Sequence, residues 1–268
     1  MTETEQLARR ILEALDTGRQ IPCISDELVG FDQDAAYAVS HEVTRLRVAR
    51  GEKPVGRKIG FTNRTIWEEY KVYAPIWGPV YDTTVAEAGK PQPLGHLLEP
   101  RIEPEIVLRL SATPEAGMDD EALFDCISHV AHGFEIVQSL FAGWKFRAAD
   151  TIAAFALHGA LTHGPFVEIA SEARGDWMAR LASFTITLKR DGMAMDKGRA
   201  ENVLGGGPLA ALAHLAKVLA DRPGSPGLRP GEIISTGTLT RALPVSTGET
   251  WSTELHNLPL PDLTQAFI

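Results

Sequence analysis

The sequence has little cysteine and no excess of positive charge. Only Cys23 and Cys126 occur in 268 residues. They show neither CxxC nor zinc-ligand spacing, which argues against a disulfide framework or a structural zinc site and reads as reduced thiols in a cytoplasmic protein. The formal net charge of −9 argues against nucleic acid or an anionic membrane as the main partner. An anionic small molecule stays open, because a bound divalent cation reverses the local sign. No apolar run approaches the ~20 residues of a membrane span. The acidic start, Met-Thr-Glu-Thr-Glu-Gln, lacks the apolar core of a signal peptide. Internal repeats and low-complexity segments are also missing.

Hydrophobic residues make up 44% of the chain, enough for one large domain or one domain with a helical extension. Leu7, Ile11, Leu12 and Leu15 have helical spacing over residues 3–18, and Gly18 ends the run. Asp32 is placed to cap a second helix carrying Ala35, Val39, Val43 and Leu46, ending near Gly51. This N-terminal part has few chemically active groups and reads as scaffold or oligomer contact. Gly56-Arg57-Lys58-Ile59-Gly60 follows, a short strand whose glycines allow close backbone approach. Lys58 is either an exposed strand-edge lysine or, if buried beside carboxylates, a cation held charged.

The stretch with most chemistry is Arg-Ile-Glu-Pro-Glu-Ile-Val-Leu-Arg-Leu, residues 101–110. Period-two alternation puts Ile102, Pro104, Ile106, Leu108 and Leu110 on one face, and Glu103 and Glu105 together on the other. Adjacent bare carboxylates repel, so one stays protonated or both meet a cation. Glu135, in Gly133-Phe134-Glu135-Ile136-Val137, has a similar frame, with Gly133 leaving room beside it. Three carboxylates plus water suit Mg²⁺ or Mn²⁺; the alternative is a solvated strand face. A helix capped by Asp119 or Asp120 and carrying Leu123, Ile127 and Val130 is expected between the two strands. An aromatic, basic loop over residues 141–149 either covers a site or packs on the surface. His158 stands alone and reads as structural.

The second half reads as mostly strands, with a hairpin at Asp191-Gly192. The glycine-rich segment 198–207 lacks the spacing and the Lys-Ser/Thr of a phosphate-binding loop, so nucleotide binding is not read. Pro208 suits the first turn of a helix carrying Leu212, Leu215 and Leu219. A proline/glycine loop is expected over residues 221–231. The strand at residues 232–238 ends in Thr236, Gly237 and Thr238, whose N–H and hydroxyl groups suit a ligand carboxylate or an ordinary strand exit.

The ordered set Gly56-Arg57-Lys58-Ile59-Gly60, Arg101-Ile102-Glu103-Pro104-Glu105-Ile106, Glu135-Ile136-Val137, Asp150-Thr151, the segment 198–207 and Ile233-Ile234-Ser235-Thr236-Gly237 resembles the 2-oxopent-4-enoate hydratase and 4-oxalocrotonate decarboxylase group of the fumarylacetoacetate-hydrolase superfamily. The resemblance implies an α+β fold: a curved, mostly antiparallel β-roll or sandwich with N-terminal helices, residues 1–53 packing on a catalytic domain at 54–268. It implies Glu103, Glu105 and Glu135 as ligands of Mg²⁺ or Mn²⁺, and assembly into homo-oligomers. Lys58 is the candidate for proton transfer or enolate binding, and Asp82 a weaker acid/base candidate. Ile76 stands where the group often has an acidic residue, and residues 152–157 read Ile-Ala-Ala-Phe-Ala-Leu in place of a more polar run. Both changes make the pocket more apolar. Ile76, Phe155, Leu157, Thr236 and Gly237 are the expected substrate contacts. The implied activity is a metal-dependent hydratase of a 2-hydroxy-2,4-dienoate or 2-oxo-4-enoate in aromatic catabolism. The alternatives are a 2-oxo acid decarboxylase, an acylpyruvate hydrolase and a non-catalytic oligomeric partner.

Overall fold

A computed structural model describes residues 1–222 and 225–268. Two residues of the loop expected over 221–231 lie outside the described residues. The helices are α1 (Glu3–Thr17), α2 (Ile24–Glu27), α3 (Gln33–Ala49), α4 (Trp67–Tyr70), α5 (Asp120–Asp125), α6 (Ala148–Ala153), α7 (Arg174–Leu181) and α8 (Pro208–Ala220). The first nine strands are β1 (Pro54–Gly60), β2 (Ile76–Tyr81), β3 (Val85–Glu87), β4 (Arg101–Leu110), β5 (Ile127–Val137), β6 (His158–His163), β7 (Val167–Glu168), β8 (Thr185–Arg190) and β9 (Met193–Arg199). Four more follow: β10 (Ile233–Ser235), β11 (Leu243–Pro244), β12 (Thr250–His256) and β13 (Thr264–Ala266).

Local chemistry sets several of these bounds. Thr2 and Glu5 form a reciprocal capping box at the start of α1, and Gly18 closes it in the left-handed conformation. Asp32 accepts from the Ala35 N–H at 2.9 Å and starts α3. Asp191 and Gly192 both have positive φ in the two-residue turn joining β8 to β9. The helix capped by Asp119 stops at Asp125, so Ile127 and Val130 belong to β5 and not to that helix. Arg109 pairs with His129 and Leu110 with Ile127, so Ser128 is an extra residue in β5; this bulge sets the buried Ile127 and Val130 three residues apart around half-buried Ser128 and His129, the spacing of a helix face.

The large sheet runs β2-β1-β10-β4-β5-β6-β3, with β11 on β4 and β7 on β5; the small sheet runs β13-β12-β8-β9. Among the described strand pairs, β1–β10 and β3–β6 are parallel and the rest antiparallel, so this is the curved, mostly antiparallel α+β architecture expected. Strand β4 is the hub. Its even positions Ile102 and Ile106 are buried, the former with Phe134, Ile136, Leu188 and Trp251 between the two sheets. Ile106, Leu108 and Leu110 join the main core with residues of α1, α3 and α8. His132 bridges the layers, one ring nitrogen 3.0 Å from the Glu105 carbonyl and the other 2.9 Å from Thr253 Oγ1. The odd face of β4 is left to carry chemistry.

Candidate metal centre and active site

Register brings the carboxylates together. Glu103 stands directly opposite Glu135 across the β4–β5 ladder, and Glu105 opposite Gly133. Ligand oxygens of Glu103, Glu105 and Glu135 all lie within 4.8 Å of one another, and all three residues are buried. The space beside Gly133 is filled by Val107 and Leu161, so the room expected there for an ion is absent and the cluster opens elsewhere.

Lys58 reaches the same point from β1. Its Nζ is 3.0 Å from Glu135 Oε2, at ion-pair distance without hydrogen-bond geometry, and donates to the Ala156 carbonyl at 3.0 Å. Burial alone would lower the Lys58 pKa, but the charges of Glu135, Glu103 and Glu105 outweigh it and hold the amine above its usual range. Burial raises the Glu103 carboxyl to about 7 and, helped by Glu135 and Glu103, the Glu105 carboxyl well above its usual range. Burial acts on Glu135 too, but Lys58 and His158 together bring it below the usual range.

Each carboxylate is oriented differently. Glu105 Oε2 accepts from Ser235 Oγ at 2.5 Å and from the Gly237 N–H at 2.8 Å. The N–H expected to hold a ligand carboxylate thus holds one of the protein's own. Gly237 has φ of 97°, and a Cβ there would lie 1.8 Å from Thr62 Oγ1, so only glycine fits. Glu135 Oε1 is 2.8 Å from His158 Nδ1, while His158 Nε2 is 2.9 Å from Thr84 Oγ1. A carboxylate only accepts, so Nδ1 carries the proton and Nε2 accepts from Thr84. Burial keeps this imidazole neutral by lowering its pKa. Among the described residues, Glu105 Oε1 and Glu135 Oε2 have no hydrogen-bond partner. Three carboxylates against one ammonium, with two orphaned oxygens, fit a divalent cation bound by oxygen ligands.

A narrow cavity leads to Lys58 and Glu103, lined by Phe61, Ile66, Tyr70, Trp144 and Leu157 among others. It holds about 20 Å³, little more than one water, so a substrate enters by displacing these side chains. Residues Phe155, Ala156 and Leu157 have φ of 45°, 56° and 62°. Three consecutive non-glycine residues in the left-handed region cost of order 1–3 kcal/mol each. The turn aims the Ala156 carbonyl at Lys58 and Leu157 at the cavity.

Other expected residues fall elsewhere. Asp82 is not in the site: it is exposed, at the far end of β2, and accepts from the Lys53 N–H at 2.9 Å. It ties the turn after β2 to the residue that precedes β1. Phe155 does not line the cavity; its ring lies 5.9 Å from the Arg47 guanidinium, and its carbonyl packs against Gly78. Ile76 is buried beside Gly60, near the Lys58 amine. Thr236 Oγ1 is used on the Ile106 carbonyl at 2.9 Å. His158 was missed as part of the site, since nothing in the sequence shows that β6 pairs with β5, which sets His158 opposite Val137 and within hydrogen-bond reach of Glu135. Trp144 shows that the 141–149 loop does cover the cavity.

Residues 82–263 match the family model described as fumarylacetoacetate (FAA) hydrolase C-terminal. The chain belongs to this family. It is 31% identical to a 2-keto-4-pentenoate hydratase of Burkholderia vietnamiensis over 94% of this chain and 93% of that protein. It is 30% identical to a 2-hydroxyhexa-2,4-dienoate hydratase of Comamonas testosteroni over 91% of this chain and 90% of that one. The 4-oxalocrotonate decarboxylase of Pseudomonas putida G7, complexed with magnesium and adipate, superposes with a TM-score of 0.90 at 26% identity, covering 100% of this chain and 99% of that one.

Proposed function

We propose that this protein is a divalent-metal-dependent hydro-lyase that adds water to a 2-hydroxy-2,4-dienoate or its 2-oxo-4-enoate tautomer. One observation carries this reading: a buried set of three carboxylates with Lys58 on its rim, opening into an apolar cavity. The hydratase names of the relatives support it. Glu103, Glu105 and Glu135 would hold Mg²⁺ or Mn²⁺, and the ion, when bound, supplies Lewis acidity towards the oxygens of a 2-oxo acid.

The chain's own groups do the rest. Lys58, kept charged, faces developing enolate charge and delivers a proton as the dienol becomes the ketone. With that proton placed on C5, the C3–C4 double bond is conjugated to the 2-oxo group; water adds across it, its hydroxyl to C4 and its proton to C3, giving the 4-hydroxy-2-oxo acid. His158 fixes the Glu135 carboxylate. Phe61, Ile66, Tyr70 and Leu157 exclude water around an apolar substrate tail. Assembly into a homo-oligomer and a cytoplasmic setting belong to the same proposal, on the resemblance and the reduced-thiol composition respectively.

A decarboxylase reading draws on the structural likeness to 4-oxalocrotonate decarboxylase. A dicarboxylate substrate needs a cation for its second carboxylate. Among the described residues, Lys58 is the only cation lining the cavity. Arg147 is exposed and paired with Asp26 at 3.2 Å, and Lys145 is exposed. Arg101 is taken up by Tyr70 and Glu69.

The test is direct. Purified protein with Mg²⁺ is mixed with 2-hydroxypenta-2,4-dienoate, its 5-methyl analogue 2-hydroxyhexa-2,4-dienoate, and 4-oxalocrotonate. Loss of dienol absorbance with a 4-hydroxy-2-oxo acid as product, and a higher kcat/KM for alkyl than for diacid substrates, are expected. Release of CO₂ from 4-oxalocrotonate as the faster reaction would replace the hydratase reading with the decarboxylase one.

A further inference from the structure

The outer face of β1 and β2 carries a second group of buried polar atoms, away from the carboxylates. A cavity of about 260 Å³ there is lined by His41, Arg57, Trp77, Arg229 and Glu232, with Pro54, Pro79 and Pro226 as apolar walls. Four atoms on its polar lining have no partner among the described residues: His41 Nε2, Arg57 Nε, Trp77 Nε1 and Glu232 Oε2. Arg57 is 5% exposed and Trp77 4% exposed. Buried N–H groups of this kind are rarely left unmet in native proteins.

The site is cationic. Arg57 Nη1 donates to the Gly56 carbonyl at 3.1 Å and stands 3.6 Å from Glu232 Oε1, a loose pairing. Arg229 adds a second guanidinium at the exposed rim. Burial raises the Glu232 carboxyl, which weakens its countercharge. The remaining wall is flat and apolar: the Trp77 ring, held by stacking on Tyr37 at 5.3 Å, and three prolines that offer no N–H. Two guanidinium groups and an indole N–H set among flat apolar walls, with the Arg57 guanidinium 5.7 Å from the Trp77 ring centre, select an anionic head on a planar apolar body. Glu232 Oε2 suits a hydroxyl on that body or a bridging water.

We propose that this cavity binds a small aromatic carboxylate, separately from the carboxylate cluster on the opposite face of β1. The inference stands whether or not the hydratase reading does.

Calorimetric titration of the Mg²⁺-saturated protein with sodium benzoate tests it, with neutral benzamide as control. One saturable site is expected, with benzamide at least tenfold weaker. Arg57→Gln and Arg229→Gln should each weaken benzoate at least tenfold, while Glu103→Gln leaves its affinity unchanged. Arg229 is exposed, so its variant reports even if the buried Arg57 variant fails to fold. Absence of saturable heat, equal binding of benzamide, or binding lost in Glu103→Gln but kept in Arg229→Gln would each overturn the proposal.

Discussion

Arg57 and Lys58 are neighbours on one strand, both cationic and both buried, yet their surroundings resolve the charge in opposite ways. Lys58 faces three carboxylates, whose attraction outweighs burial and holds its amine above the usual range. Arg57 faces one loosely placed carboxylate, and burial wins, lowering its pKa. Strand alternation alone separates the two. A buried cation with an excess of negative charge around it is equipped for chemistry. A buried cation with unmet N–H groups is equipped to receive an anion.

The sharpest way to break this contrast is to remove each cation in turn. Lys58→Ala should lower kcat by ~10²–10⁴, the usual worth of a positioned proton donor, with Mg²⁺ affinity and the melting temperature of the Mg²⁺ form little changed. Arg57→Ala should lower kcat by less than tenfold and instead cost about 1–3 kcal/mol of stability, because the half-buried Glu232 loses its largest countercharge and the packing of the buried guanidinium is lost. Steady-state kinetics beside thermal denaturation compares them. Equal loss of kcat in both variants would erase the distinction between the faces.

The next effect concerns what orients the inner face. His158→Ala removes the hydrogen bond to Glu135 Oε1 and should weaken Mg²⁺ binding by ~10–100-fold, the common effect of losing a group that orients a metal ligand. Calorimetry with Mg²⁺ measures it, and restoration by His158→Gln towards wild-type affinity would show that the hydrogen bond, not ring volume, matters.

A pH series on metal-free protein isolates the carboxylates. Glu103 is raised from 4.5 to about 7 in the folded chain, so the folded state binds more protons than the unfolded state in that window. Its contribution is present below pH 4.5 and is lost as pH rises through about 7, on the order of 1–3 kcal/mol. Glu105 shifts in the same sense. Glu135, held low, acts oppositely, losing its contribution as pH falls below 4.5. Melting temperatures of metal-free protein should therefore decline from pH 5 to pH 8, and Mg²⁺ should flatten the decline. A rise over that range would contradict the environment assigned to Glu103.

The smallest effect is local. Ala156→Gly places the residue free of left-handed strain at φ of 56° and should change stability by no more than ~1 kcal/mol in the stabilising direction, relief of strain being partly offset by greater freedom of the unfolded chain. Urea denaturation resolves it.

Much of the fold was legible because it follows local rules. Thr2, Gly18, Asp32 and Asp191-Gly192 act on their own backbones within a few residues, so their chemistry shows in the sequence. The alternation of residues 101–110 put Glu103 and Glu105 on one face, and the resemblance in the order of the motifs singled out Glu135 and Lys58. The helix mistaken over Ile127 and Val130 shows the limit: a bulge at Ser128 breaks the two-residue period and leaves a three-residue spacing that reads as helix.

What the sequence by itself determined is which side chains share a face, since two residues per strand repeat is a covalent property of the extended chain. It could not say what each face meets. That Glu135 stands opposite Glu103, that Gly237 is spent on Glu105, that His158 backs Glu135, and that Asp82 is spent on the Lys53 N–H are consequences of contacts between segments separated by up to 132 residues, as from Glu105 to Gly237. Register is fixed by burying whole apolar faces at once, a property of the assembled sheets and of no single stretch. The same holds for charge: Arg57 and Lys58 have the same formal charge in the sequence, and only the dielectric and the counter-charges that tertiary structure places around them make one basic and the other an anion receptor.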